Sequence, residues 1–272
     1  MDTIDANRYV HAHLVEIYEK TEPHFRPENQ RKVKTRLQAL RISVNGGKLL
    51  DVGCGTGFII NLATDLFDEI YGIDATPEML AKIDTQQGKI QLHHGLAEHL
   101  PFSDGYFDAV TAYSFIDHVK SMPVVLSEMA RVLKVGGQAY IDLVPNRGFW
   151  CALKDNISST QLLSLSDIVL RERTMVTKNA QIVQDQYGLD AEAFRAAEPG
   201  KLQGGIDLQE FETWALESGF SVCDSQYDWF LGEGSIIHSN MPENARVIDH
   251  YLKRTLPLSS HLYKYLRFTI TR

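Results

Sequence analysis

The stretch LLDVGCGTGF, Leu49 to Phe58, decides how the rest of the chain reads. An apolar pair leads into Asp51, and glycines follow at alternate positions, Gly53, Gly55 and Gly57. Glycine supplies positive φ and lets the backbone approach a ligand that a side chain would hold off. At the carboxyl end of a buried parallel strand, such a turn stands where open α/β sheets bind ligands. A tight strand-to-helix turn without a ligand is the plain alternative, so the surroundings must decide. The dinucleotide fingerprint G-x-G-x-x-G would need a third glycine where this chain has Phe58, which disfavours a nicotinamide cofactor and the oxidoreductase reading.

Working outward, Glu28 to Ile42 forms a helical stripe stopped by Asn45-Gly46-Gly47, and Lys48 to Val52 is a short strand. The apolar run FIINLATDLF is a buried helix, followed by a second strand, Glu69 to Asp74. Thr76 and Pro77 open a helix through MLAKIDTQQ that Gly88 ends. Strands are expected at Lys89 to His94, Phe107 to Tyr113 and Gln138 to Val144, with a helix from Met122 to Leu133 closed by Val135-Gly136-Gly137. This alternation means a parallel sheet covered on both faces, a doubly wound α/β architecture. From Pro145 the rhythm breaks. Asn146 to Gly205 carries polar helical stretches, SSTQLLSLSDIVLRER and LDAEAFRAAE, and reads as an inserted cap over the ligand edge. A helix at Asp207 to Ser218 and strands at Phe220 to Leu231 and Tyr263 to Thr271 complete the chain. The expected organisation is an N-terminal helical segment, 1–47, covering the site; a cofactor-binding core, 48–145; a substrate cap, 146–205; and the C-terminal part of the sheet, 206–272.

A length of 272 residues, 44% of them hydrophobic, suffices for a core without covalent staples. Lys plus Arg number 27 against 35 Asp plus Glu, a net charge of -8 that argues against a nucleic-acid partner. Three scattered cysteines, Cys54, Cys151 and Cys223, argue against a disulfide framework or a cysteine zinc site and fit a reducing, cytoplasmic location. The first twenty residues have no apolar signal-peptide region, and no segment reaches the roughly 18 apolar residues of a membrane span. Asp74, ending the second strand, is placed to accept hydrogen bonds from ribose hydroxyls, so the ligand should contain an adenosine-like ribose.

LLDVGCGTGF, IYGIDATPEML, GLAEHLPFSDGYFDAV and EMARVLKVGGQAYI, in that order and spacing, resemble the class I S-adenosylmethionine-dependent methyltransferases, within them the small-molecule enzymes with a ubiquinone/menaquinone-methyltransferase type of core. The resemblance runs from Lys48 to Val144. It implies a Rossmann-like, mostly parallel seven-stranded sheet of order 3-2-1-4-5-7-6 with the last strand antiparallel. The cofactor is then S-adenosyl-L-methionine, with S-adenosyl-L-homocysteine as product and a small molecule as methyl acceptor. By the same resemblance Gly53, Cys54 and Gly55 lie along the methionine part, with Asp51 near its amino group. Asp74 takes the ribose, and Ala75 and Met79 pack near the adenine. Leu96, Ala97 and Glu98 border the adenine edge. Many relatives have Asp where this chain has Leu96, which shifts that contact to backbone around Ala97. Tyr113, flanked by Ala112 and Ser114, faces the sulfonium region or is a core aromatic at a strand end.

Methyl transfer from a sulfonium needs alignment first, and acid-base help only when the acceptor carries a proton at neutral pH. Asp117-His118 stand just past the fourth strand, where His118 can supply that help or serve as a hydrogen-bonded structural residue. Tyr9 and Tyr18 are candidates to fold over the cofactor. Phe149, Trp150, Trp229 and Phe230 are candidates to line an acceptor pocket, and Lys253, Arg254, Lys264 and Arg267 to meet an acidic acceptor. His93, His94 and His99 have no metal-site spacing, and no metal is expected. A protein of the same fold that binds the cofactor without turnover is the alternative from another class.

Overall fold

The computed structural model describes all residues except 86–87, 155–165, 203 and 240. Seven strands, β1 (Lys48–Val52), β2 (Glu69–Asp74), β3 (Ile90–His94), β4 (Phe107–Tyr113), β5 (Leu133–Pro145), β6 (Ser221–Phe230) and β7 (Tyr263–Thr271), form one sheet of order β3-β2-β1-β4-β5-β7-β6. The pairs from β3 to β5 are parallel, and β7 runs antiparallel to both β5 and β6. This is the Rossmann-like α/β fold and the strand order implied by the resemblance. β1 lies between β2 and β4, so the strand order reverses at its carboxyl end, and the glycine loop follows there. Every residue of β4 is buried, as expected of a strand covered on both faces.

The helices are α1 (Thr3–Leu14), α2 (Tyr18–Thr21), α3 (Pro27–Ser43), α4 (Phe58–Ala63), α5 (Pro77–Leu80), α6 (Met122–Val132), α7 (Arg147–Lys154), α8 (Asp167–Tyr187), α9 (Ala191–Ala196), α10 (Pro199–Leu202), α11 (Leu208–Glu217), α12 (Glu233–His238) and α13 (Pro242–Arg254). One face of the sheet is covered by α3 and α4 through Val33, Leu37, Leu40, Ile59 and Ile60. The other is covered by α6 and α11 through Val125, Leu126, Met129, Phe211 and Ala215. Asp207 starts α11 by accepting from the amides of Gln209 and Glu210, a side-chain cap that fixes where the helix begins. α1 packs elsewhere: its Ala6 and Val10 join Ala180 of α8 and Ala191 and Phe194 of α9 in a separate small core.

Three expectations are corrected. The helix opened by Pro77 ends at Leu80, because Lys82 and Ile83 make i→i+3 turn bonds that swing Ile83 inward against Gly57. Gln86 and Gln87, where it was expected to end, lie outside the described residues. Val135-Gly136-Gly137 does not close a helix: α6 stops at Val132, and the segment is already β5, with Gly136 at φ 80 and its amide bonded to the Arg272 carbonyl. In the insertion α8 spans 21 residues, longer than expected, and residues 158–165 of the anticipated helix lie outside the described residues.

Candidate active site

The turn after β1 takes the shape its glycines allow, with φ of 70, 51 and 90 at Gly53, Gly55 and Gly57. Its amides are already committed. Gly53 and Cys54 donate to the Ile73 carbonyl (2.8 and 3.1 Å), Gly55 to Asp74 Oδ2 (2.9 Å) and Gly57 to the Cys54 carbonyl (2.8 Å). These four donors are not free to form a nest around a pyrophosphate. The loop instead frames a cavity of about 90 Å³ lined by carboxylates: Asp51, Asp74 and Glu98 face it, and among the described lining residues there is no Lys or Arg. Such a wall selects a cation.

Asp51 is buried, and among the described residues its one side-chain partner is the Thr111 hydroxyl, which donates to Oδ1 at 2.7 Å. Burial, with the nearby Asp74 charge, pushes its carboxyl up to about 7 against the Thr111 hydrogen bond. Asp74 accepts from the Gly55 amide and, through Oδ1, from the Thr76 amide at 2.8 Å, which fixes its orientation and leaves lone pairs for hydroxyls. The Thr56 hydroxyl, also in the wall, is buried without a hydrogen-bond partner among the described residues. A Cβ added at Gly55 would meet nothing within 4 Å, whereas at Gly53 it would lie 2.0 Å from the Phe115 ring. An uncompensated carboxylate, an orphaned hydroxyl and open space at Gly55 fit an ammonium-bearing tail here and a ribose at Asp74; these residues fit S-adenosylmethionine.

Among the residues singled out from the sequence, Asp51, Gly53, Cys54, Gly55, Asp74, Met79, Glu98, Tyr113 and His118 line this cavity. Ala75, Leu96 and Ala97 do not. The Ala75 carbonyl instead accepts from Arg8 Nε at 2.9 Å and from His94 Nε2 at 3.1 Å, and Ala97 sits in the sheet core. Tyr18 lines the cavity, while Tyr9 lies on the exposed side of α1. Aromatic rings close one end: Phe58 lies 4.9 Å from Tyr113 and 4.7 Å from His24, which burial pushes down to about 4 and so keeps neutral. Ile4, Asn7, His11, His24, Phe25, Thr56, Phe58 and Phe115 also line it. Ile4, Asn7 and His11 stand at i, i+3 and i+7, a helical stripe that could have been read as inward-facing had its polar members not masked it.

A second cavity of about 530 Å³ adjoins the first, and the two share His11, Tyr18, Ser114 and His118. Its walls include Phe149 and Trp150 of α7, Met175 and Val183 of α8, Phe194, and Lys264 and Tyr265 of β7. Trp229 and Phe230 are elsewhere, Trp229 under the Lys32 ammonium at 4.4 Å and Phe230 buried against Tyr263 and Ala245. Lys264 pairs with Glu172 at 2.6 Å, and Lys201 with Glu198 at 2.5 Å and Asp117 at 3.6 Å, which hold Lys201 charged despite its burial. Lys253 is paired within α13 to Asp249. No group of three metal-ligating side chains occurs among the described residues, and no helix there is long and apolar enough to cross a membrane.

Residues 50–141 match the family described as "Methyltransferase domain". Over 116 residues the chain is 40% identical to a ubiquinone/menaquinone biosynthesis C-methyltransferase of Geobacter sp. (strain M21), covering 39% of this chain and 49% of that protein. Over 137 residues it is 37% identical to a demethylmenaquinone methyltransferase of Geobacillus kaustophilus (strain HTA426), covering 44% of this chain and 58% of the relative. The chain thus spans about half the length of the curated relatives it matches. A phosphoethanolamine N-methyltransferase 2 of Haemonchus contortus, solved with phosphomonomethylethanolamine and S-adenosylhomocysteine, superposes over 99% of this chain and 59% of that one, with a TM-score of 0.58. At 16% identity that likeness is one of fold. The matched segment contains the glycine turn, Asp74, β4 and the start of β5, and it is in this segment that the chain is similar to the methyltransferases.

Proposed function

We propose that the protein transfers a methyl group from S-adenosylmethionine to a small organic acceptor held in the larger cavity. One observation carries this reading: a carboxylate-lined cavity at the switch point of the sheet shares His11, Tyr18, Ser114 and His118 with an adjoining mixed apolar and polar cavity. When bound, the cofactor supplies a methyl group on a positively charged sulfur. The chain then has to hold it, align the acceptor and exclude water. Asp51 faces the amino group, Asp74 accepts from the ribose hydroxyls, and Met79 and Glu98 border the base. The Tyr113 and Phe58 rings offer π-faces near the cationic centre.

In this reading residues 1–47 close the cofactor site through α1, and residues 146–205 form the acceptor cap through α7, α8 and α9. Free thiols at Cys54 and Cys151 accord with a reducing cytoplasm. Isothermal calorimetry with S-adenosylhomocysteine tests the binding step. Asp74→Ala should weaken association about tenfold or more, the loss of a charge-assisted hydrogen-bond pair. No heat of binding to the native protein, or no effect of the substitution, overturns the reading. Transfer of tritium from methyl-labelled S-adenosylmethionine to small molecules of a cell extract tests turnover.

A further inference from the structure

Two imidazoles stand where the cavities meet, and their nitrogens are used differently. The rings of His11 and His118 lie 5.7 Å apart, edge to face. His118 Nδ1 is 2.8 Å from the Ala197 carbonyl, and Nε2 is 3.8 Å from Asp117 Oδ1, so both of its nitrogens face acceptors. His11 Nδ1 is 2.9 Å from the Asn7 carbonyl one turn back in α1, which fixes the proton there. Its Nε2 has no hydrogen-bond partner among the described residues, and the ring lines both cavities.

We propose that His11, through Nε2, takes the proton from the methyl acceptor, and that His118 is a positioning residue. This rests on the methyltransferase reading and deepens it, because it requires an acceptor with a protic nucleophile, an O–H or N–H group. The O–H or N–H proton passes to Nε2, and the freed lone pair bonds to the methyl carbon. The carbon–sulfur bond breaks with its electrons kept on sulfur. The imidazolium then returns its proton to solvent through the larger cavity. His118 holds α1 in place: its carbonyl accepts from Asn7 Nδ2 at 3.0 Å, and its ring backs the His11 ring. The groups that bear on the charge of His11 are His118 past β4, Asp74 at the end of β2, Glu198 beyond α9 and the Asn7 carbonyl within α1; the Tyr18 ring of α2 is 6.1 Å away. Burial, then His118, lower its affinity for protons, which favours the neutral ring, the form whose Nε2 lone pair can accept a proton.

Diethyl pyrocarbonate, which acylates free neutral imidazole nitrogens, tests the assignment without a known acceptor. Mass spectrometry should find His11 modified before His118, and S-adenosylhomocysteine should slow that modification. Modification of His118 first, or an unreactive His11, overturns the proposal. A panel of small phenols and primary amines with labelled S-adenosylmethionine supplies the kinetic arm. His11→Gln should lower kcat/KM about 100-fold or more and remove its acid limb, the scale expected for a lost general base. His118→Gln should lower the rate and keep that limb. A limb that survives in His11→Gln overturns the assignment. Calorimetry with S-adenosylhomocysteine on the same proteins reads the methyltransferase proposal separately, since a failure there leaves the acylation result standing.

Discussion

At the residue scale, the carboxylate proposed to face the cofactor's amino group is also a liability in the ligand-free fold. Asp51 is buried with one hydroxyl partner, and its raised folded value, about 7 against an ordinary 3.8, means the unfolded chain gives up its proton first as pH rises. Its contribution to stability is therefore greatest at low pH, falls through the window from about 4 to about 7, and is flat above it. Asp51→Asn should raise the melting temperature of the ligand-free protein at pH 8, on the order of 1 kcal/mol or more and so by several degrees, and leave it nearly unchanged at pH 4. The same substitution should abolish measurable binding of S-adenosylhomocysteine, because a cationic amino group would face a neutral amide. Scanning calorimetry at the two pH values, with and without ligand, checks both signs. The glycine turn allows a second separation. Gly53→Ala puts a Cβ into the Phe115 ring and should unfold or severely destabilise the loop, whereas Gly55→Ala points into open space at φ 51 and costs about 1 kcal/mol of backbone strain. In binding, Gly55→Ala should be the worse of the two relative to its cost in stability, since its methyl group enters the ligand's volume.

At the element scale, α1 is a docked piece, not part of the sheet's own layers. It is tied by Asn7 to the His118 carbonyl, by Arg8 to the Ala75 carbonyl and by Asp2 to Lys120. The inner cavity under it, about 90 Å³, is well below the roughly 300 Å³ at which ligand pockets begin, and on the proposed function α1 is expected to move when the cofactor enters. Amide exchange in Thr3–Leu14 should accordingly be faster than in α3 or α4, and S-adenosylhomocysteine should slow it; protection equal to that of α3 without ligand would show a rigid cover. This docking also explains what was legible in the sequence. β1, β2, β4 and β7 could be read to the residue because short apolar runs flanked by turn residues admit one pairing in a buried sheet. The short α5 is not legible in the sequence because periodicity does not register the pull of Ile83 toward Gly57, a tertiary contact. The role of the glycine pair after α6 is not legible either, because a bulged strand start and a helix stop use the same residues. Asp51, the glycines and Asp74 were visible as a motif. His11 was not, because one histidine in a polar helix acquires meaning only when α8 and α9 turn that helix's apolar face away from the core.

At the scale of the whole molecule, the outer third of the sheet is joined to the first third of the chain by charge as well as by apolar contact. Arg36 of α3 reaches Asp142 of β5 at 2.7 Å and bonds Asp228 of β6, and Lys32, one turn earlier, bonds Asp228 at 2.7 Å. Asp142 and Asp228 are buried at 1% and 4% exposure, so the arginine compensates two carboxylates that water does not reach. Against the cost of burial, Lys32 and then Arg36 hold Asp228 well below the usual carboxylate range. A group depressed in this way stabilises the fold fully above its unfolded value and loses that contribution as pH falls through the folded one. Arg36→Met removes the guanidinium while keeping most of the apolar stem, which leaves two buried carboxylates short of a partner. The expected loss is about 3 to 5 kcal/mol, the range for breaking one side of a buried ion pair, and the acid-unfolding midpoint should move to higher pH because the fold starts with less stability to lose. Adding Asp142→Asn and Asp228→Asn to the same chain should recover much of the loss, since uncharged groups of the same shape no longer need the cation. Urea titrations at pH 7 and pH 4 decide the matter: a single variant as stable as the native protein at pH 7, or a triple variant no better than the single, would mean that apolar packing alone fixes α3 to the sheet.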